Sequence, residues 1–398
     1  MSTVDTKAAT DRLMRFLAIE GVTGQEAAIG RDIAAALKDI GVPAQAIRLD
    51  DANTRIPLPT QTGNLIVDLP GSGALHNQPR LMFMTHMDTV PLCAGAKPKV
   101  QGRKIVNTAK TALGGDNRTG CAVLVTLAAE LARQQLDHPP ITLLFCVREE
   151  SGLWGARFVD KEQLGSPVMA FNYDGRSAAD VVVGAVGADR WEVEIFGRAS
   201  HAGGAPERGI SSTMILSLAL AEVQKGGWFG KVVKGKKQGT SNVGPVTGGE
   251  GRPAGDATNV VTDYVHVRGE SRSHDPKFFK QITAAYKTAF ERAAARVKNS
   301  EGKAGRIKFK AHTDYHPFRI KDSLPAVKRA AAAIAAGGGA PNIRTTNGGL
   351  DANWMNRHGI PTVTFGAGQN EAHTVDEWID LNEFERGCAL AVRLATMR

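Results

Sequence analysis

The chain is predicted to be α/β, with a mostly parallel sheet flanked by helices and a second, α+β module inserted into it. Three observations predict this. Its 398 residues are more than one hydrophobic core comfortably serves, so two domains are expected. Apolar strand-like runs alternate with stretches of helical period up to Tyr173 and again after Leu324, the order that builds parallel sheets with buried strands. Between those regions the period changes: Trp191, Val193 and Ile195 alternate with Glu192 and Glu194, which suits a sheet with one wet face.

In chain order, apolar residues recur at helical spacing from Asp11 to Ile40 (Leu13, Phe16, Leu17, then Ile29, Ile33, Leu37, Ile40), and the break from Gly21 to Gly24 divides them into two helices. Strands follow over 45–49, 64–69 and 80–85, then a helix over 117–133, a strand over 141–147, a short helix over 154–159 and a strand over 167–173. The module reads as a strand over 191–196, a helix over 211–223, strands over 240–246 and 260–268, a long charged helix over 276–297 and a strand over 306–312. This β-α-β-β-α-β order is ferredoxin-like, and it divides the chain into 1–187 with 313–398 and an insertion at 188–312. A helix over 324–336, a strand over 362–365 and a helix over 381–397 complete the outer domain.

Composition narrows the class of protein. Hydrophobic residues at 42% with 22% charged place the chain among ordinary globular proteins. A formal charge of +9 would suit nucleic acid, anionic membranes or acidic substrates. Part of it is local, in Lys225, Lys231, Lys234, Lys236 and Lys237 around Trp228 and Phe229. No nucleic-acid-binding signature accompanies these lysines, so they read as a solvated hairpin or loop and no nucleic-acid partner is expected. Cys93, Cys121, Cys146 and Cys388 are scattered without C-x-x-C spacing, as befits reduced core residues in the cytoplasm. The start, Met1-Ser2-Thr3-Val4-Asp5, lacks a basic and then apolar leader pattern, and no run approaches the ~20 apolar residues that span a bilayer. Neither secretion nor membrane insertion is expected.

Chemistry concentrates where predicted strands end. Glu149 and Glu150 follow the run from Ile141 to Val147, and two adjacent acids at a buried strand's exit repel each other and lose hydration unless a cation neutralises them. His86 and Asp88 close another strand, and Asp174 follows a third. In a parallel sheet these ends gather at one edge. Asp116 opens a helix and His373 sits in a loop. Singly, Asp116 would cap its helix and His373 would be an ordinary loop histidine; together, these residues make a metal site. Carboxylates and imidazoles without thiolate suit zinc, with manganese or cobalt as substitutes. Two such ions about 3.5–4 Å apart can polarise a carbonyl and acidify a water.

The motifs His86-Met87-Asp88-Thr89-Val90-Pro91, Gly114-Gly115-Asp116-Asn117-Arg118-Thr119-Gly120, Glu149-Glu150-Ser151-Gly152, Asp174-Gly175, Ala199-Ser200-His201-Ala202-Gly203 and Glu371-Ala372-His373-Thr374 resemble the M20 co-catalytic metallopeptidases, especially their peptidase T-like branch. The likeness runs through nearly the whole chain in that family's order. It implies a zinc-peptidase-like fold in which 1–187 and 313–398 form the catalytic, metal-binding domain. The insertion at 188–312 would be a lid and dimerisation domain through which a homodimer would form. It implies two zinc ions bridged by Asp116, one completed by His86 and Asp174, the other by Glu150 and His373. Asp88 would orient the His86 ring, and Glu149 would be the general base in an attack by metal-activated water. A cis peptide between Asp116 and Asn117 is implied as well. From the lid, His201 would stabilise the oxyanion, while Asn259 and Arg272 would grip the substrate carbonyl and carboxylate. By themselves, His201 would be a turn residue and Arg272 half of a surface salt bridge.

Strict tripeptidases of the family carry an arginine just before the late Gly-Gly. This chain reads Thr346-Asn347-Gly348-Gly349-Leu350-Asp351-Ala352-Asn353, with Asp351 and Asn353 placed to cap the following helix. The resemblance therefore implies hydrolysis of short peptides, in the manner of an aminopeptidase or tripeptidase, without settling peptide length. A same-class alternative is an amidohydrolase of N-acyl amino acids or a dipeptidase. An alternative of another class is an inactive binding protein on the same fold, which the complete ligand set disfavours.

Overall fold

The protein, as a computed structural model, is described over residues 4–249, 253–255 and 257–398. Met1, Ser2 and Thr3, which carry part of the expectation about secretion, lie outside the described residues. The chain forms two compact units. The first takes Met1–Ala185, Phe318–Thr346 and Leu350–Arg398; the second takes Val186–Pro317 with Asn347–Gly349.

In chain order, the first unit opens with α1 (Thr6–Leu17), α2 (Ala27–Asp39), β1 (Ile47–Leu49), α3 (Ala52–Arg55), β2 (Leu65–Leu69), β3 (Leu81–His86), β4 (Pro98–Gln101), β5 (Lys104–Asn107) and α4 (Gly115–Arg133). It continues with β6 (Ile141–Cys146), α5 (Trp154–Phe158), β7 (Met169–Tyr173) and β8 (Asp180–Ala185). The second unit holds β9 (Gly187–Phe196), α6 (Ser212–Lys225), β10 (Gly230–Lys234), β11 (Lys237–Thr247), β12 (Tyr264–Ser273), α7 (Pro276–Arg296) and β13 (Arg306–Tyr315). The first unit resumes with β14 (Phe318–Arg319), α8 (Pro325–Ala336), β15 (Asn342–Thr346), α9 (Asp351–Arg357), β16 (Thr362–Phe365), β17 (Gln369–Asn370), β18 (Trp378–Asp380) and α10 (Leu381–Thr396).

The main sheet of the first unit runs β1-β2-β6-β3-β7-β16-β8-β14, with β15 also on β8. Its centre is parallel, β3 pairing with both β6 and β7, and β7 with β16. Antiparallel strands lie toward the edges. Every residue of β3 and β6 is buried, because helices cover both faces of a parallel sheet. Phe83, Phe171, Phe365 and Tyr173 form an aromatic row on one face, ring centroids 5.3, 6.1 and 5.5 Å apart. Met82, Met84, Leu144 and Met355 pack on the other. With His86 registered opposite Cys146, β3 and β6 end level, and their exit loops emerge together. A small sheet, β17-β18-β5-β4, stands apart.

The second unit is an antiparallel sheet, β10-β11-β12-β9-β13, whose Trp191, Val193, Ile195, Val265 and Val267 join Ile215 of α6 and Phe278, Ile282, Tyr286 and Phe290 of α7 in one core. The lysine-rich segment is a hairpin, β10 with β11. There Lys234 lies 4.6 Å from the Trp228 ring centroid and donates to the Gly226 carbonyl at 2.6 Å. β12 starts at Tyr264 and continues to Ser273, later at both ends than the run read as 260–268. Val260 makes only an isolated bridge to His201, and the inward positions after Val267 pass to the small polar Ser271 and Ser273, both buried, which ends the apolar alternation before the strand ends.

Candidate metal centre

His86 is the last residue of β3 and is buried. Its Nδ1 lies 3.1 Å from the Asp88 carbonyl oxygen and 3.3 Å from Asp88 Oδ1. Those acceptors hold a proton on Nδ1 and aim Nε2 at Asp116, the direction a ligand nitrogen would take. Asp88, itself buried, also accepts from the amides of Glu149 at 3.0 Å and Glu150 at 3.2 Å. One carboxylate thereby ties the His86 ring to the turn that carries both glutamates.

Asp116 stands opposite. Its Oδ1 is 3.1 Å from His86 Nε2 and its Oδ2 is 3.3 Å from His373 Nε2, so its two oxygens face two imidazoles from distant parts of the chain. Asp116 and Asn117 leave helical backbone within α4, and the peptide bond between them is cis. Asn117 is held by the Tyr173 carbonyl, to which its Nδ2 donates at 2.6 Å, and by Gln369, whose Nε2 donates to its Oδ1 at 2.9 Å. α4 comes this close to β3 because residue 120 is glycine: a Cβ there would sit 2.1 Å from Thr85 Oγ1. Glu150 Oε1 lies 2.9 Å from His373 Nε2.

Ligand atoms of His86, Asp116 and Asp174 fall within 4.8 Å of one another, as do those of Asp116, Glu150 and His373, and those of His86, Glu149 and Glu150. All six residues predicted from the first unit are brought together, with Asp88 behind them.

The electrostatics are lopsided. Burial pushes Glu149 well above the ordinary carboxylate range, and Asp174 and Glu150 add to the shift against the pull of His86. Burial and then Asp116 raise Asp174 in the same way and take Glu150 to about 7. For Asp116, burial also pushes upward, but hydrogen bonds from His373 and His86 outweigh it and hold the carboxyl below its usual range. The hydrogen bonds that His373 gives to Asp116 and Glu150 raise it to about 10. Among the described residues, the ion-pair partners of these acids are the two histidines alone. Four carboxylates against two imidazoles, with no thiolate, make a donor set suited to divalent cations.

The residues predicted from 188–312 belong to the second unit. His201 Nδ1 accepts from the amides of Gly203 at 3.1 Å and Gly204 at 2.9 Å, which puts its proton on Nε2. The Asn259 carbonyl accepts from the Ala202 amide at 2.8 Å, so Asn259 and His201 are neighbours. Arg272 Nη2 donates to Glu270 Oε2 at 3.0 Å.

Gln369 and Glu26, both buried, escaped the sequence reading. Gln369 supports Asn117, and Glu26 Oε1 accepts from the Arg148 amide at 3.1 Å, immediately before the paired glutamates. Only the Gly24-Gln25-Glu26 break before α2 could have drawn notice to it. Asp351 is the first residue of α9 rather than its cap, and burial pushes its carboxyl up to about 7. It is Asn353 that closes this helix start, its Oδ1 accepting from the Leu350 amide at 3.0 Å.

A parallel α/β sheet that gathers acids and imidazoles at its strand ends defines a candidate metal-binding protein of the α/β class. Residues 82–397 match the model of peptidase family M20/M25/M40. Protein YqjE of Bacillus subtilis (strain 168) is 30% identical over 392 residues, with 98% of each chain covered. The aminopeptidase PepT structure from Bacillus cereus ATCC 10987 is 29% identical with a TM-score of 0.80, covering 99% of this chain and 98% of that one. A tripeptidase, SAV1512, from Staphylococcus aureus subsp. aureus Mu50 is 26% identical with a TM-score of 0.85 and 99% of each chain covered. The chain belongs to peptidase family M20/M25/M40, in its peptidase T-like branch, and is a metallopeptidase. Among the described residues, no helix is long and apolar enough to cross a membrane.

Proposed function

We propose that this enzyme hydrolyses the amino-terminal peptide bond of short peptides at a centre built for two divalent ions, zinc first among them. Asp116 carries the reading, because a single carboxylate offers one oxygen toward His86 and the other toward His373. His86 and Asp174 would complete one ion's ligands, and Glu150 and His373 the other's. When bound, such ions polarise the scissile carbonyl and acidify a water.

The rest falls to the side chains. Glu149 is the acid left outside both ligand sets. It would take the proton from the attacking water and return it to the leaving amine, the work of a positioned carboxylate. Asp88 holds the His86 ring and, through the amides of 149 and 150, keeps the base and its neighbour apart in role. His373 is half-exposed, so the centre opens to solvent where a peptide would enter. His201, with its proton on Nε2, is in the form that donates to an oxyanion. With Asn259 and Arg272 it makes the substrate-binding set we assign to the second unit. Four buried, free cysteines support a cytoplasmic location.

Glu149→Gln tests the division of labour. Zinc content by elemental analysis should match the wild type, while turnover of a di- and tripeptide panel falls by about 100- to 10,000-fold. Full activity in that variant would refute the base assignment. Faster turnover of N-acetyl amino acids than of free peptides would move the enzyme to the amidohydrolases.

A further inference from the structure

Glu377 lies in the turn between His373 and β18 and is 3% exposed. Its carboxylate crosses to the turn that precedes the regular part of α4. There Oε2 accepts from the amides of Leu113 at 2.8 Å and Gly114 at 2.7 Å, and Oε1 accepts from the amide of Asp116 at 3.0 Å. The donors come from 261 to 264 positions earlier in the chain. Gly114, at φ 82, bends the backbone so that neighbouring N–H groups converge, the form of a small anion-holding nest. Gly115 gives no hydrogen bond to the carboxylate but allows the approach: a Cβ there would lie 3.1 Å from Glu377 Oε1 and 2.9 Å from Ile379 Cγ1.

A plain helix cap would bind the first amides of regular helix. The helical backbone of α4 is regular only after Asn117, since Asp116 and Asn117 are both non-helical. Glu377 takes amides upstream of that point, ending on the residue whose carboxylate faces the two histidines. One short segment thus supplies His373, the Gln369 that holds Asn117, and the acceptor for Asp116.

We propose that Glu377 is a positioning residue for metal binding: by accepting the amide protons of Leu113, Gly114 and Asp116, it sets where the Asp116 carboxylate stands between His86 and His373. This role rests on the reading of Asp116 as the ligand shared by two ions. In Glu377→Gln the side-chain oxygen can keep the Leu113 and Gly114 donors, and its NH2 then meets the Asp116 N–H, donor against donor.

The test is zinc affinity by chelator competition, alongside circular dichroism and melting of the metal-stripped protein. Glu377→Gln should keep the fold of the stripped protein, with at most the melting-temperature loss of one buried donor-donor contact, while the folded protein loses about 10- to 100-fold in zinc affinity and regains turnover in excess zinc. A merely structural Glu377 would leave the zinc affinity of the folded protein unchanged whatever the melting temperature, which overturns the proposal. If Glu377→Gln does not fold, Glu377→Asp, one methylene short, is measured in the same way with the same two outcomes. Wild-type protein is titrated in parallel. Failure of the wild type to bind zinc refutes the shared-ligand reading and this role with it, whereas equally tight binding by wild type and Glu377→Gln refutes the role of Glu377 alone.

Discussion

On the charged face of the second unit's sheet, Glu192 lies 3.1 Å from Lys310 and 3.2 Å from His266, and Glu194 lies 3.6 Å from Lys308 and 3.0 Å from the Tyr264 hydroxyl. At the strand ends and helix start of the first unit, Glu149, Glu150 and Asp116 have, among the described residues, only His86 and His373 as ion-pair partners. Opposite charges alternate across neighbouring strands in the first case, an arrangement that solvates a sheet face and fixes its register. There, the hydrogen bond from Lys310 holds Glu192 below its usual range against the opposing effect of burial. In the candidate metal centre, burial drives Glu149 and Asp174 the other way. The residue types are shared, and what makes one set structural and the other chemical is burial together with the choice of partner.

The largest effect that would break this comparison is expected at Asp116. Asp116→Ala should abolish turnover and weaken zinc binding by at least about 100-fold, read as zinc retained after gel filtration. Retention of the wild-type zinc content would show that Asp116 is not a ligand shared by two ions.

Glu26 sharpens the role of burial. It is fully buried, with Oε2 lacking a hydrogen-bond partner, and burial, then the charge of Asp88, push it up to about 7. Its folded pKa lies above its unfolded value, so the stability associated with its proton is fully present below about pH 4.5 and is lost as pH rises through about 7. Glu26→Gln cannot ionise, and its oxygen can still accept from Gly24 and Arg148. It should therefore be more stable than wild type at pH 8, by roughly 1–3 kcal/mol, and nearly equal at pH 5. Urea unfolding of metal-stripped protein at the two pH values reads this, and equal stabilities at pH 8 would count against a costly buried charge.

The smallest effect belongs to the charged sheet face. Lys310→Ala, at a side chain 58% exposed, should cost less than about 1 kcal/mol and less still in high salt. A loss above about 2 kcal/mol in the same denaturation experiment would mean that these pairs bear on the fold as strongly as buried ones.

Much of the first unit was legible because β3, β6 and β7 are mostly apolar and lead into residues of a different chemical kind. The run Leu81 to His86 shows both the strand and the site at its exit. β8 was missed although Val181-Val182-Val183 is an apolar run. β15 had no such signal, because Asn342, Ile343, Arg344 and Thr345 are all exposed on an edge strand and no alternation survives there. Glu377 was illegible for another reason: its partners are backbone amides, and a backbone amide has no signature in a sequence.

The order of apolar runs, the strand exits and the metal-ligating residue types were determined by the chain alone, since periodicity and side-chain chemistry are local properties. Which oxygen of Asp116 faces which imidazole, and the grip of Glu377 on residues 113, 114 and 116, were decided only by the tertiary structure. Each depends on groups that meet across tens to hundreds of residues, where distance and direction, rather than composition, set the interaction.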